Sequence, residues 1–140
     1  MRWLLFEDNL TPQLFPLALA RPVFELICGR EGLRRRVQRW FPTAEWGALI
    51  RPWLVETVQE ELPEAKLNRP EAFADSSVLM INGRWMPSQR PDPRAVTSES
   101  AGFVGETLAW ILLRSDEMQL VDGQDYEPVL TVDQLHFIGT

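Results

Sequence analysis

Three groups of residues in this sequence have the chemistry to handle a phosphate. Glu7 and Asp8 are adjacent, and paired carboxylates can hold magnesium through oxygen ligands; Asp8 is the candidate metal ligand. Arg21 stands alone within "LALARPVFEL", an apolar stretch, directly before Pro22. A guanidinium in such surroundings needs a partner. Two are open to it: Glu25 as a structural ion pair, or a ligand phosphate taken by its planar fork. The third group is Asn82-Gly83-Arg84. It reads either as a tight turn with glycine at positive φ, or as an amide that bonds a ligand beside a glycine that lets the ligand approach the backbone.

Arginines also crowd into residues 30–39, where Arg30, Arg34, Arg35, Arg36 and Arg39 stand against Glu31 alone. Arg30 lies near the start of an expected helix, where free N–H groups and the dipole favour an anion. Arg34, Arg35 and Arg39 lie further along, and the expectation for them is a solvated helix face. Other chemistries find no footing. Cys28 and His136 are the only residues of their types, too few for a zinc site with ordinary ligand counts, and a Cys–His dyad would join two distant positions. No Gly-x-Ser-x-Gly, Walker-A or Gly-x-Gly-x-x-Gly motif occurs. The six tryptophans are scattered across elements, as core and rim packing would have them, instead of alternating along one strand as a base-stacking platform would.

The elements that must position these groups follow from periodicity. "RWLLFE" is a short buried strand ending at the two carboxylates. Pro12 and Pro16 break any helix in "NLTPQLFPLALA", which predicts an extended loop packed through its apolar residues. Leu33, Val37, Trp40 and Phe41 fall at helical spacing from about Gly32, and Pro42 closes that helix. "EWGALI" is a second strand. Pro52 suits the first turn of a second helix, with Val55, Val58 and Leu62 on one face. "AKL" is a short third strand, and "VLMIN" at residues 78–82 is the clearest buried strand. "MPSQRPDPR" is a loop, and "GFVGETLAWILL" a hairpin turning near Gly105-Glu106. Alternating strands and helices predict a parallel α/β sheet with ligands beyond the carboxyl ends of its strands. That rule selects Glu7-Asp8, Arg51 after the second strand, and Asn82-Gly83-Arg84.

Bulk properties set the frame. The chain has 140 residues, one domain's worth, with 45% hydrophobic and 24% charged residues, the composition of a globular protein. Net charge is −6 despite a local +4 in residues 30–39, which argues against a nucleic-acid surface. No apolar run is long enough for a membrane span, the N-terminus is too short for a secretory h-region, and one cysteine allows no internal disulfide. A cytoplasmic protein is the expectation.

The segment "LLFEDNLTPQLFPLALARPVFELICGREGLRRRVQRWF", followed by "INGRW" and "AGFVGETLAWILL", resembles the N-terminal part of a divergent bacterial sugar nucleotidyltransferase family. Members of that family are similar to the bifunctional N-acetylglucosamine-1-phosphate uridyltransferase/glucosamine-1-phosphate acetyltransferase. The resemblance spans essentially the whole chain. It implies a Rossmann-like nucleotidyltransferase sheet, mostly parallel, with an added β-hairpin. It also implies that residues 1–140 are a single domain, the N-terminal piece of a longer protein. The implied reaction joins a sugar 1-phosphate to a nucleoside triphosphate and releases pyrophosphate, with magnesium; UDP-N-acetylglucosamine is the product type. Homo-oligomers are implied as well, trimeric where a β-helix follows.

Under this likeness Arg21 is the catalytic phosphate contact, assisted by Arg30. Arg51, Asn82, Gly83 and Arg84 lie at the strand ends where nucleotide and sugar bind. Relatives have a glycine-rich loop, a lysine and a Gly-Asp pair, whereas residues 8–20 here contain no glycine, Arg21 replaces the lysine, and Asn82 replaces a metal-binding carboxylate. The alternative is a catalytically degenerate module of the same fold that binds a sugar nucleotide or another protein.

Overall fold

A computed structural model describes residues 2–89 and 101–114, together with the backbone of residues 129–130. The first strand, β1 (Arg2–Asp8), carries a run of four consecutive apolar residues, Trp3 to Phe6, all without solvent exposure. Such a run suits a strand covered on both faces. β1 pairs in parallel with β2 (Trp46–Leu49) on one side and β4 (Val78–Asn82) on the other; β2 in turn pairs in parallel with β3 (Lys66–Leu67). Helix α1 (Leu33–Trp40) connects β1 to β2, and α2 (Val55–Glu61) connects β2 to β3. Residues 45–50, 65–67 and 78–82 are thus strands or strand flanks as their patterns predict.

The hairpin is also present. β5 (Ala101–Val104) and β6 (Thr107–Leu113) flank Gly105-Glu106, and Gly105 takes a φ of 62° that suits only a residue without Cβ strain. β6 runs antiparallel against β4, giving the order β3-β2-β1-β4-β6-β5; β7 (Val129–Leu130) pairs in parallel with the end of β1 at Glu7 and Asp8. The sheet is therefore mixed. The expected mostly parallel sheet holds in part: β3, β2, β1, β4 and β7 pair in parallel, whereas the hairpin contributes two antiparallel pairings.

Alternation along β1 divides the core. Trp3 and Leu5 face the layer holding α1 and α2, among Val37, Leu54, Val58 and Trp46, while Leu4 and Phe6 face Phe73, Met80 and Ile111. Trp3 and Trp46 stack with centroids 4.9 Å apart and planes 11° apart, worth about 0.5–1.5 kcal/mol beyond burial.

Two expectations need correction. Residues 9–20 form a 3₁₀ turn at Thr11–Leu14 followed by further turns; Ala18 is buried but Leu17 and Leu19 are exposed, so the segment is not apolar-packed throughout. Arg34 is buried instead of lying on a solvated face. Its guanidinium pairs with Glu25 and lies 5.9 Å from the Trp46 ring centre. Residues 90–94 of the proline-rich loop, and His136, lie outside the described residues.

Candidate phosphate-binding site

The carboxyl ends of β1, β2 and β4 converge, as the parallel half of the sheet requires, and the charged groups there sort into three units.

The first is a closed ion pair. The register sets Phe6 beside Leu49, two residues before Arg51. Glu7 has no exposure and Arg51 3%. Glu7 Oε1 accepts from the Arg51 backbone N–H at 3.1 Å and from Nε at 3.2 Å; Oε2 accepts from Arg51 Nη2 at 3.0 Å and from the Val23 N–H at 3.2 Å. Arg51 Nη2 also donates to the Arg21 carbonyl at 2.9 Å. Phe15 and Trp53 each place a ring centre 5.3 Å from the guanidinium carbon, which offsets the burial of Nη1, left without a hydrogen-bond partner among the described residues. Arg51 thus ties the segment after β1 to the strand ends, and its position at a strand end reflects this task instead of an open ligand contact.

The second unit is Asp8, Asn82 and Arg84. Asp8 Oδ1 accepts from the Leu10 N–H at 3.1 Å and Arg84 Nε at 2.7 Å; Oδ2 accepts from Asn82 Nδ2 at 3.0 Å and from Arg84 Nη2. Asn82 gives its second amide hydrogen to the Leu108 carbonyl at 3.0 Å and accepts from the Arg84 N–H at 2.9 Å. It is 1% exposed, so β4 ends in a buried amide, not an exposed one. Gly83 is absent from the positive-φ residues. A Cβ there would stand 2.8 Å from Val23 Cγ1 and 3.0 Å from the Phe6 carbonyl oxygen. The glycine therefore admits the protein's own Val23, with no room for a ligand on that side. Asn82, Arg84 and residues of β6 line a cleft of about 360 Å³ with Trp85 and Met86.

Asp8 does not fit as a magnesium ligand in this arrangement. Both of its oxygens are held by protein donors, one of them a cation. The described residues include no group of three or more His, Cys, Asp or Glu placed to hold a metal ion.

The third unit is a cleft of about 340 Å³ between residues 20–35, which lead into and begin α1, and residues 57–62 of α2 and its C-terminal end. Arg21, Arg30 and Arg35 line it, along with Glu61 and Thr57. All three arginines are exposed, and none has an ion pair or side-chain hydrogen bond among the described residues. Glu25 and Glu31 also line the cleft, but Arg34 and Arg39 neutralise them. The Arg21–Glu25 pair therefore does not form. Of the residues singled out in the sequence, Arg21 and Arg30 come together here; Asp8 joins Asn82 and Arg84 through hydrogen bonds, and the latter two line the other cleft; Arg51 is closed off. Arg35 is the residue the sequence reading missed. It belongs to the helix face away from Leu33, which faces solvent in most helices, and only the position of α2 turns that face into a cleft wall.

A half-sheet of parallel strands joined by helices, with clefts beside the segments that follow its strands, defines an α/β domain. The chain belongs to the sugar nucleotidyl transferase family, whose model matches residues 3–137. No curated protein matches it. Among the described residues no helix is long and apolar enough to cross a membrane.

Proposed function

We propose that this chain is a sugar-1-phosphate nucleotidyltransferase domain that brings a sugar 1-phosphate and a nucleoside triphosphate together in the cytoplasm. The observation that carries the reading is the cleft of Arg21, Arg30 and Arg35, three guanidinium groups unpaired among the described residues, in a chain that is acidic elsewhere. In this transfer a phosphate oxygen of the sugar attacks the α-phosphorus of the triphosphate, and the bond to pyrophosphate breaks. Positioning and charge neutralisation are the main demands of such chemistry. Arginine meets both, since its fork grips a phosphate through two oxygens. Arg21 holds phosphate from the segment after β1, and Arg30 and Arg35 neutralise charge from the start of α1. Glu7 and Arg51 hold that segment in place.

A pyrophosphate-release assay tests this, with glucose 1-phosphate and N-acetylglucosamine 1-phosphate each offered against the four common ribonucleoside triphosphates. Release that depends on both substrates and falls in Arg21→Ala supports transfer. The second reading, a binding module without catalysis, has its own support in the glycine-free segment 8–20 and the fully bonded Asp8. Binding of UDP-N-acetylglucosamine with no release for any pair would favour it.

A further inference from the structure

The cleft lined by Asn82 and Arg84 is separate in its lining from the cleft of Arg21, Arg30 and Arg35 and has a chemistry of its own. Asp8 stands at the carboxyl end of the central strand, with a side chain 1% exposed. A lone carboxylate there requires a cation, and Arg84 supplies it through Nε and Nη2, two parallel bonds to the two oxygens. The arginine is itself fixed, because its backbone N–H is held by Asn82 Oδ1 at 2.9 Å. Its side chain keeps 21% exposure and lines the cleft, and Nη1 makes no hydrogen bond among the described residues. The lining contains no carboxylate; Asp8 lies buried beneath Arg84 as its ion-pair partner.

We propose that Arg84 is a resident cation, filling the place on Asp8 that a divalent ion would take and presenting Nη1 to a phosphate group in this cleft. The ligand class is a phosphate ester or pyrophosphate, with its remaining part against Trp85, Met86 and Leu108. Magnesium ordinarily binds through one or two carboxylates plus substrate phosphates. Here the single carboxylate is already neutral with its arginine, and a divalent ion added beside that pair leaves two cations competing for one anion. Phosphate binding at this cleft therefore requires no divalent metal. The inference rests on the transferase reading only for the choice of a phosphate ligand.

Calorimetric titration of the full chain with pyrophosphate, once in EDTA and once in excess magnesium, is the test. The expected result is binding in EDTA within about threefold of that in magnesium. Arg84→Met leaves Asp8 buried without its cation and can unfold the protein, so Asp8→Asn/Arg84→Met, which removes both charges, serves as the second variant. It should weaken pyrophosphate binding at least tenfold under both conditions. Wild-type binding that vanishes in EDTA overturns the inference, and so does a double variant that binds like the wild type. If the double variant keeps its affinity while Arg21→Ala loses it, the inference fails and the transferase reading stands. If the wild type binds no pyrophosphate under either condition, both fail.

Discussion

Glu7 and Arg51, at the carboxyl ends of adjacent parallel strands, close on each other inside the protein through two side-chain hydrogen bonds, and Glu7 also caps the Arg51 and Val23 backbone N–H groups. The pair joins β1, β2 and the segment leading to α1 at one point. Removing one partner strands a buried charge, so Arg51→Ala should lower stability by about 3–5 kcal/mol. Urea denaturation followed by tryptophan fluorescence measures this. Replacing both residues by leucine should remain destabilising, because the Val23 and Arg51 N–H groups would lose their acceptor. A double variant as stable as the wild type would show that the pair contributes nothing through the backbone.

Gly83 supports the same strand ends by its size. Val23 and the Phe6 carbonyl occupy the space a Cβ would need, and Gly83 itself donates to that carbonyl at 2.8 Å. Gly83→Ala should cost about 1–3 kcal/mol, the range for overpacking a close-packed site. Thermal unfolding checks it: a melting temperature equal to that of the wild type would mean that Val23 moves aside freely.

The arginine helix contains two residues that the sequence treats alike and the structure separates. Arg39 is paired with Glu31, but its side chain is 69% exposed, and Arg39→Ala should change stability by no more than about 0.5 kcal/mol. Arg34 is inside, with Glu25 as partner and Trp46 alongside. Arg34→Ala should cost about 1.5–3 kcal/mol, the range for hydrogen bonds to charged groups. Parallel denaturation curves decide the point, and equal losses would erase the distinction.

These contrasts show which parts of the molecule are legible in the chain. The strands at residues 2–8 and 78–82 and the hairpin about Gly105 follow from local pattern, because an apolar run or a turn glycine acts within its own neighbourhood. The antiparallel partner of β4 is not local: nothing in "VLMIN" distinguishes pairing with a parallel strand from pairing with "AWIL". Side-chain partners are further removed still. A glutamate ending a buried strand demands a cation, but the choice of Arg51 for Glu7 and Arg84 for Asp8 depends on strand order and register. Arg34 fell to the inner side because Glu25 and Trp46, from two other elements, meet it there. A helical wheel drawn for α1 alone contains neither.

Arg21 is where the remaining alternatives can be separated. Its candidate structural partner, Glu25, is taken by Arg34, so the Arg21 side chain contributes no ion pair to the fold among the described residues. What the fold uses is its backbone: the carbonyl accepts from Arg51 Nη2 at 2.9 Å, and Pro22 restrains the conformation of Arg21. A substitution that keeps the backbone and changes the head group therefore reads function alone. Arg21→Lys keeps the charge and loses the planar fork. It should leave the unfolding free energy within about 0.5 kcal/mol of the wild type, as for other exposed positions. Binding of a nucleotide or sugar phosphate should weaken by about 1–3 kcal/mol, as expected when hydrogen bonds to a charged group are lost. Arg35→Ala, in the same cleft, should weaken it too, whereas Arg39→Ala should not. Unfolding curves and titration with UDP-N-acetylglucosamine give both readouts. A lowered midpoint with unaltered binding in Arg21→Lys would assign this arginine to architecture and remove it from the site.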